Sequence, residues 1–330
     1  MDRLAFKRYI TTVLPMHRDG EIDEHAWRQL LRYFLKDRRM AKHGGLCINP
    51  EAGEIFYLSR EERRRVLEIA MEEIDGKVPV ACGVFGLTTK ETVESAQDAK
   101  ALGAQVLFVF PPQGAIDVGT AWNPTEYPEV WTDMLNAIAR ATDLPMIAHP
   151  TASGSPPLYG QGIPLNAALR FCRDVPSLVG WKMLYPYPGY RTVAHALRQL
   201  DRPVAVLSAL GNYFHEYRAM GISDGTMSGY WNYALEPMLD HMEAWDEGNA
   251  EKAAKIWNGS LLQLQEAVSD RSRLHIRYKV ATWLRGLIPT PYMRAPLPVP
   301  RQQEIDMLHA ALQASGLSVI DKSETQLGLR

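Results

Sequence analysis

Four ionisable side chains stand where a short apolar run ends or has just ended, and each offers distinct chemistry. Lys182 closes Leu178-Val179-Gly180-Trp181-Lys182. Desolvation at the end of an apolar strand disfavours an ammonium ion and lowers a lysine pKa from about 10.4, which raises the share of nucleophilic amine. Such an amine attacks a ketone, and the iminium that results draws electrons from the neighbouring carbon. His149 closes Met146-Ile147-Ala148-His149. An imidazole ordinarily titrates near neutral pH, as a proton-transfer group requires. Glu51 and Glu54, in Asn49-Pro50-Glu51-Ala52-Gly53-Glu54, supply carboxylates for acid/base work or for holding a substrate hydroxyl. By pattern alone each also fits a quieter role: a strand-end lysine reaching solvent, a packed histidine, a solvated loop charge.

The elements that must position these groups alternate from one end of the chain to the other. Eight short apolar runs, bounded by Gly or Pro, are predicted as buried parallel strands: Tyr9–Leu14, Gly45–Ile48, Val78–Cys82, Val106–Phe110, Pro145–Ala148, Leu178–Lys182, Val204–Ser208 and Gly225–Met227. Amphipathic segments separate them. Ser59 with Glu62 reads as a capping box, and Thr88–Leu102 reads as a helix stopped by Gly103. Tyr127–Ala141 and Leu165–Cys172 are predicted helices of the same kind. Eight strand–helix alternations predict a (β/α)8 barrel, whose catalytic groups sit at the C-terminal strand ends. An open doubly wound sheet would carry a glycine-rich phosphate loop in its first turn, and neither GxGxxG nor GxxxxGK[ST] occurs. The barrel is expected over residues 1–230. A helical C-terminal region is expected over 231–330, with Glu243–Ala267 and Arg271–Gly286 its clearest helices and Ser318–Arg330 loose, the whole forming a single domain.

Composition removes several function classes. The formal charge of −2 is mixed along the chain, which argues against nucleic acid or an anionic membrane as partner. No run approaches the roughly 18 apolar residues of a membrane span. The N-terminus has no apolar leader, and Cys47, Cys82 and Cys172 form neither a disulfide framework nor a zinc pattern. A cytoplasmic protein without a metal is expected. His215-Glu216 is not a zinc-protease motif, because Ala219 stands where the second histidine would be.

The ordered set of short motifs resembles the dihydrodipicolinate synthase / N-acetylneuraminate lyase family of class I aldolases over roughly residues 8–310. The set comprises Thr12–Pro15 with Asp19-Gly20 and Asp23, Gly53-Glu54, Leu58–Arg63, Val78–Gly83, Ala101–Ala104, Pro111, Leu144-Pro145, Pro150 to Gly154, Val179–Lys182, and Gly225 to Ser228 with Asn232 and Pro237. The resemblance implies a barrel with a C-terminal helical region, a homotetramer or homodimer, no cofactor, and Lys182 as the Schiff-base lysine for a 2-oxo acid substrate. The departures are specific. Pro50-Glu51-Ala52 stand where the family has Gly-Thr-Thr, whose threonines hold the substrate carboxylate. Ile147 and about Gln113 stand where it has two proton-relaying tyrosines, and Ala152 where dihydrodipicolinate synthases have an arginine. Ala209-Leu210 stand where the family has Gly-Asp.

These departures argue against a strict dihydrodipicolinate synthase and predict a lyase, either an aldolase or a dehydratase. His149 lies two residues beyond Ile147, on the same strand face, and is the leading proton-transfer candidate, with Glu51 second. The substrate carboxylate is expected near Ala52, at the backbone N–H groups of Gly53 and Glu54, and at Ser208 or Ser228, beside Ile147. The loop Pro156–Gly162 is long for the family, and its Tyr159 could reach back to supply a phenol, or lie exposed. The tyrosines of Tyr185–Tyr190 could line the site or a subunit contact. A sugar-acid dehydratase, a hydratase-aldolase, a catalytically impaired homologue that binds a small acid, and a Glu/His hydrolase that bypasses the lysine remain open.

Overall fold

The computed structural model describes residues 8–151, 162–209 and 211–326. Eight parallel strands form a closed barrel in chain order: β1 Arg8–Thr11, β2 Leu46–Ile48, β3 Val80–Val84, β4 Val106–Val109, β5 Met146–Ala148, β6 Leu178–Met183, β7 Ala205–Ser208 and β8 Gly225–Ser228. Each overlaps its predicted run. Both faces of such strands are covered, so nearly every strand residue is buried, which is why the runs read as continuously apolar. β1 stops at Thr11, short of the expected Leu14. The side-chain amide of Asn232 takes over there, donating to the Thr11 carbonyl at 2.9 Å and accepting from Val13 N–H at 3.0 Å.

One irregularity controls side-chain direction. Met146 pairs with Leu178, but Ile147 pairs with Gly180, so β6 carries Val179 as an extra residue. Side chains alternate across a strand, and the extra residue reverses that alternation for the rest of β6. Trp181 thereby faces the helix layer, 6.0 Å from Trp131 between ring centroids, and Lys182 takes the opposite, inner face.

The chain divides into two compact units, Met1–Tyr9 with Pro79–Met227, and Ile10–Val78 with Ser228–Arg330. In the first, helix Thr89–Ala101 begins with a capping box between Thr88 and Glu91 and gives way to Gly103 at φ +99°. Trp131 of helix Glu129–Thr142 and Phe171 of helix Leu165–Asp174 stack edge-on 5.0 Å apart outside β6. In the second unit, helix Glu24–Lys36, which the sequence reading passed over, starts at Asp23, whose carboxylate caps Ala26 N–H. Its Trp27 donates to the Val66 carbonyl of helix Arg60–Ile74, itself opened by the predicted Ser59/Glu62 box.

The C-terminal helices correct three expectations. Glu243–Ala267 is not one helix. Helix Trp231–Asp246 ends before Gly248, at φ +72°, and Asn249 caps a new helix, Ala250–Ile256. A π-helical turn, Trp257–Leu261, then leads into Leu262–Val268. Arg271–Gly286 shortens to Leu274–Leu284, because Asp270 turns the chain by accepting from Ser272 N–H. Within Ser318–Arg330, Lys322–Thr325 is an ordered turn capped by Asp321, Thr325 is buried, and Ile320 N–H donates to the Leu284 carbonyl at 2.8 Å.

Helix Gln302–Ala314 is tied to Leu274–Leu284 through Glu304. Arg273 grips its carboxylate with two nitrogens, Arg277 lies 3.4 Å away, and Arg301 N–H donates at 3.2 Å. Chiefly through Arg273, the carboxyl is held down to about 2. A depressed carboxyl pKa stabilises the fold fully above the unfolded value and loses that contribution as pH falls through the interval down to the folded value. Glu304→Gln should therefore lower the unfolding free energy at pH 7 by on the order of 2 kcal/mol. Denaturant titrations should show the gap to wild type closing as pH falls from about 4.5 toward 2. A gap of constant size from pH 7 down to pH 3 would contradict it.

Candidate active site

On β4, β5 and β6 the register sets Phe108 beside Ile147 and Ile147 beside Gly180. One pleat repeat further along the same inner face come Phe110, His149 and Lys182. Lys182 is 8% exposed and His149 2%, so both polar groups are almost wholly withdrawn from water. Lys182 Nζ lies 3.4 Å from His149 Nε2. The imidazole stacks on Phe108, with centroids 4.9 Å apart and planes 16° apart, and tilts against Phe110 at 5.2 Å. Lys182 Nζ is 5.2 Å from the Phe108 centroid. The two groups predicted to act together are thus neighbours, at the C-terminal ends of adjacent strands. Gly180 makes room below them: a Cβ there would come within 3.0 Å of Ile147 Cγ1 and 3.4 Å of Leu207 Cδ1.

The loop after β2 is shaped by its backbone. Asn49 and Glu54, both left-handed at φ +53° and +63°, bracket the turn Glu51–Gly53. A Cβ on Gly53 would approach the Thr12 carbonyl to 3.0 Å, a tight contact that favours glycine there. Gly53 N–H donates to the Pro50 carbonyl and Glu54 N–H to that of Glu51, both at 3.0 Å. The two donors expected to hold a substrate carboxylate are therefore used in closing the turn, and Ala52 is buried within it. Glu54 is committed as well. Its carboxylate meets the Lys279 ammonium and accepts from Arg294 N–H at 2.8 Å, while Lys279 donates to the Tyr292 carbonyl at 2.8 Å. Both side chains of this pair are fully buried. Burial pushes the Lys279 ammonium below its usual range, and Glu54 acts in the opposite sense. Glu51 lies 4.0 Å from His275 Nε2.

Of the predicted serines, Ser208 faces away from Lys182. Ser208 pairs laterally with Met183, the neighbour of Lys182 along β6, and so lies on the helix-facing side. Its hydroxyl is shared between Tyr190 at 2.7 Å and Ser223 at 2.9 Å. Ser228 lies 3.2 Å from the Tyr278 hydroxyl, which burial pushes up to about 12. Tyr190 is core, and Tyr185 donates to the Ile163 carbonyl. Gln113 donates to the Pro111 carbonyl at 2.9 Å. Tyr159, Ala152 and Leu210 lie outside the described residues. Among the described residues no cluster of three or more His, Cys, Asp or Glu side chains could hold a metal, and no helix is long and apolar enough to cross a membrane. Sequence reading missed Phe108, Phe110 and Lys279. The two-residue spacing of the phenylalanines ahead of Pro111 was a signal for the first two, and a lone lysine in the apolar stretch Val280-Ala281-Thr282-Trp283 and its flanks for the third.

A parallel eight-stranded barrel with a desolvated lysine ending β6 defines a class of barrel enzyme, and comparison with known proteins narrows it. The family model described as the dihydrodipicolinate synthetase family matches residues 5–315. A relative from Escherichia coli K12, the probable 2-dehydro-3-deoxy-D-pentonate aldolase YjhH, is 26% identical over 302 residues, 91% of this chain and 94% of the relative. The 4-hydroxy-tetrahydrodipicolinate synthase of Thermotoga neapolitana is 26% identical over 322 residues, 94% and 99% of the two chains. The crystal structure of YagE from E. coli K12, in complex with pyruvate, superposes with a TM-score of 0.81 at 21% identity, covering 95% of this chain and 100% of that one. The chain belongs to the dihydrodipicolinate synthetase family. It is a divergent member and a lyase of the class I aldolase type.

The Glu54–Lys279 pair yields a stability test. Removing one partner leaves the other as an uncompensated buried charge, at a cost of about 3–5 kcal/mol, whereas removing both does not. Lys279→Met should destabilise strongly, and Glu54→Gln combined with Lys279→Met should recover part of the loss in denaturant titrations. A double variant as unstable as the sum of the singles would show that the two charges are uncoupled.

Proposed function

We propose that this chain is a Schiff-base aldolase that cleaves 2-dehydro-3-deoxy sugar acids, with Lys182 as nucleophile and His149 as proton-transfer group. The observation that carries the reading is the 3.4 Å approach of His149 Nε2 to Lys182 Nζ, with both side chains almost wholly buried. The relative named as a 2-dehydro-3-deoxy-D-pentonate aldolase supports the substrate class.

The chemistry follows from these two groups. The Lys182 amine attacks the C2 ketone. With one proton taken up and water lost, the carbon–nitrogen bond becomes an iminium. The iminium draws electrons from C3. His149 accepts the C4 hydroxyl proton, the C3–C4 bond breaks, an aldehyde leaves, and the bonding pair moves into an enamine on Lys182. The imidazolium returns its proton to C3, and water releases pyruvate and regenerates the amine. Imidazole is suited to both transfers because its pKa lies near neutrality. It stands in for the relay tyrosine that Ile147 replaces. Glu51 is a further acid/base candidate by its place after β2. As part of the same reading the enzyme acts as a homodimer or homotetramer, which light scattering on the purified chain would test.

Borohydride should trap one reduced pyruvate, read as a mass increase in the intact protein, and Lys182→Ala should abolish it. His149→Phe should keep the adduct but slow cleavage of 2-dehydro-3-deoxypentonate or -gluconate by about 10²- to 10⁴-fold. An adduct that survives Lys182→Ala would refute the nucleophile. Undiminished turnover in His149→Phe would refute the proton-transfer role. A wild-type chain that traps none of these acids would be an impaired homologue.

A further inference from the structure

One aromatic ring touches both groups of the pair. The imidazole of His149 and the ammonium nitrogen of Lys182 lie 4.9 and 5.2 Å from the Phe108 centroid. Were they on opposite faces of that ring, they would stand far more than 3.4 Å apart, so they share one face. The ring is itself held: Phe110 packs edge-on at 5.2 Å and 69°, and Ile147 is its lateral neighbour. The face of an aromatic ring is negative, and a cation within about 6 Å of its centroid is attracted, most strongly where water is excluded.

We propose that Phe108 is a positioning residue for the Lys182–His149 pair, and that its ring face stabilises the positive charge on Lys182 once the lysine has become an iminium. The inference rests on Lys182 as the Schiff-base lysine. The ketone and amine are neutral, and the iminium is a cation formed where almost no water remains to solvate it. The ring face supplies part of that missing solvation. It also favours the useful charge state of its neighbour: two cations 3.4 Å apart repel, so a charged iminium favours the neutral imidazole, the form that accepts the C4 hydroxyl proton. A leucine would fill similar space but present no negative face.

The test varies the electrons of the ring while keeping its shape. Full-length protein with phenylalanine, 4-fluorophenylalanine or 3,4,5-trifluorophenylalanine at position 108 is incubated with a subsaturating series of pyruvate concentrations. The iminium fraction is trapped with borohydride and read by intact mass, with thermal melts beside it. The apparent iminium association constant should fall stepwise with fluorination, by on the order of tenfold across the series, at near-constant melting temperature. Phe108→Leu should be at least as weak as the trifluoro variant. Equal association constants across the fluorinated series, with wild-type protein forming the adduct at Lys182, would overturn the role of Phe108 and leave the Schiff-base reading intact. No adduct in the wild type would overturn both.

Discussion

In a closed barrel every strand residue must point either inward or out to the helices, and the lysine of this protein points inward because β6 holds one residue more than its neighbour requires. Without Val179 as the extra residue, Gly180 and Lys182 would exchange faces with Trp181. The tryptophan would then be pressed inward and the amine laid against Trp131 and Phe171. Several other features depend on that phase. Gly180 suits the inner face because a Cβ there would crowd Ile147 and Leu207. Trp181 must be large because the helix layer needs filling, and His149 can meet the lysine only because both strands present the same face at the same height.

Among the described residues two lysines are buried, and their surroundings differ. Lys279 is met by a carboxylate and a carbonyl, an arrangement that compensates for its lost hydration and commits it to holding the β2 loop. The anchor offsets a cost in the loop, since Glu54 adopts the left-handed conformation that most side chains disfavour by about 1–2 kcal/mol. Lys182 lies beside an imidazole at 3.4 Å and an aromatic ring at 5.2 Å, surroundings of a different chemistry. The carboxylate of Glu54, which by its place in the motif resembles a substrate ligand, belongs to the first arrangement.

The motifs and alternation of the sequence by themselves determined the architecture and the family, and they singled out Lys182 as the candidate nucleophile. Eight apolar runs bounded by Gly and Pro were enough because strands buried on both faces leave that mark. The Ser59 and Thr88 capping boxes were equally legible, since a cap is made by residues three apart in the chain. His149 was legible because the spacing from Ile147 is local. What only the tertiary structure decided is whatever depends on partners distant in sequence. The extra residue in β6 is defined by its neighbour β5, and the outward face of Ser208 by Tyr190 and Ser223. The loss of Glu54 and of the Gly53 and Glu54 N–H groups as ligands follows from Lys279 and from the closed turn. The ring of Phe108 acquires a role only when three strands bring an imidazole and an amine onto one of its faces. That is a convergence of positions 108, 149 and 182, for which no spacing along the chain provides a sign.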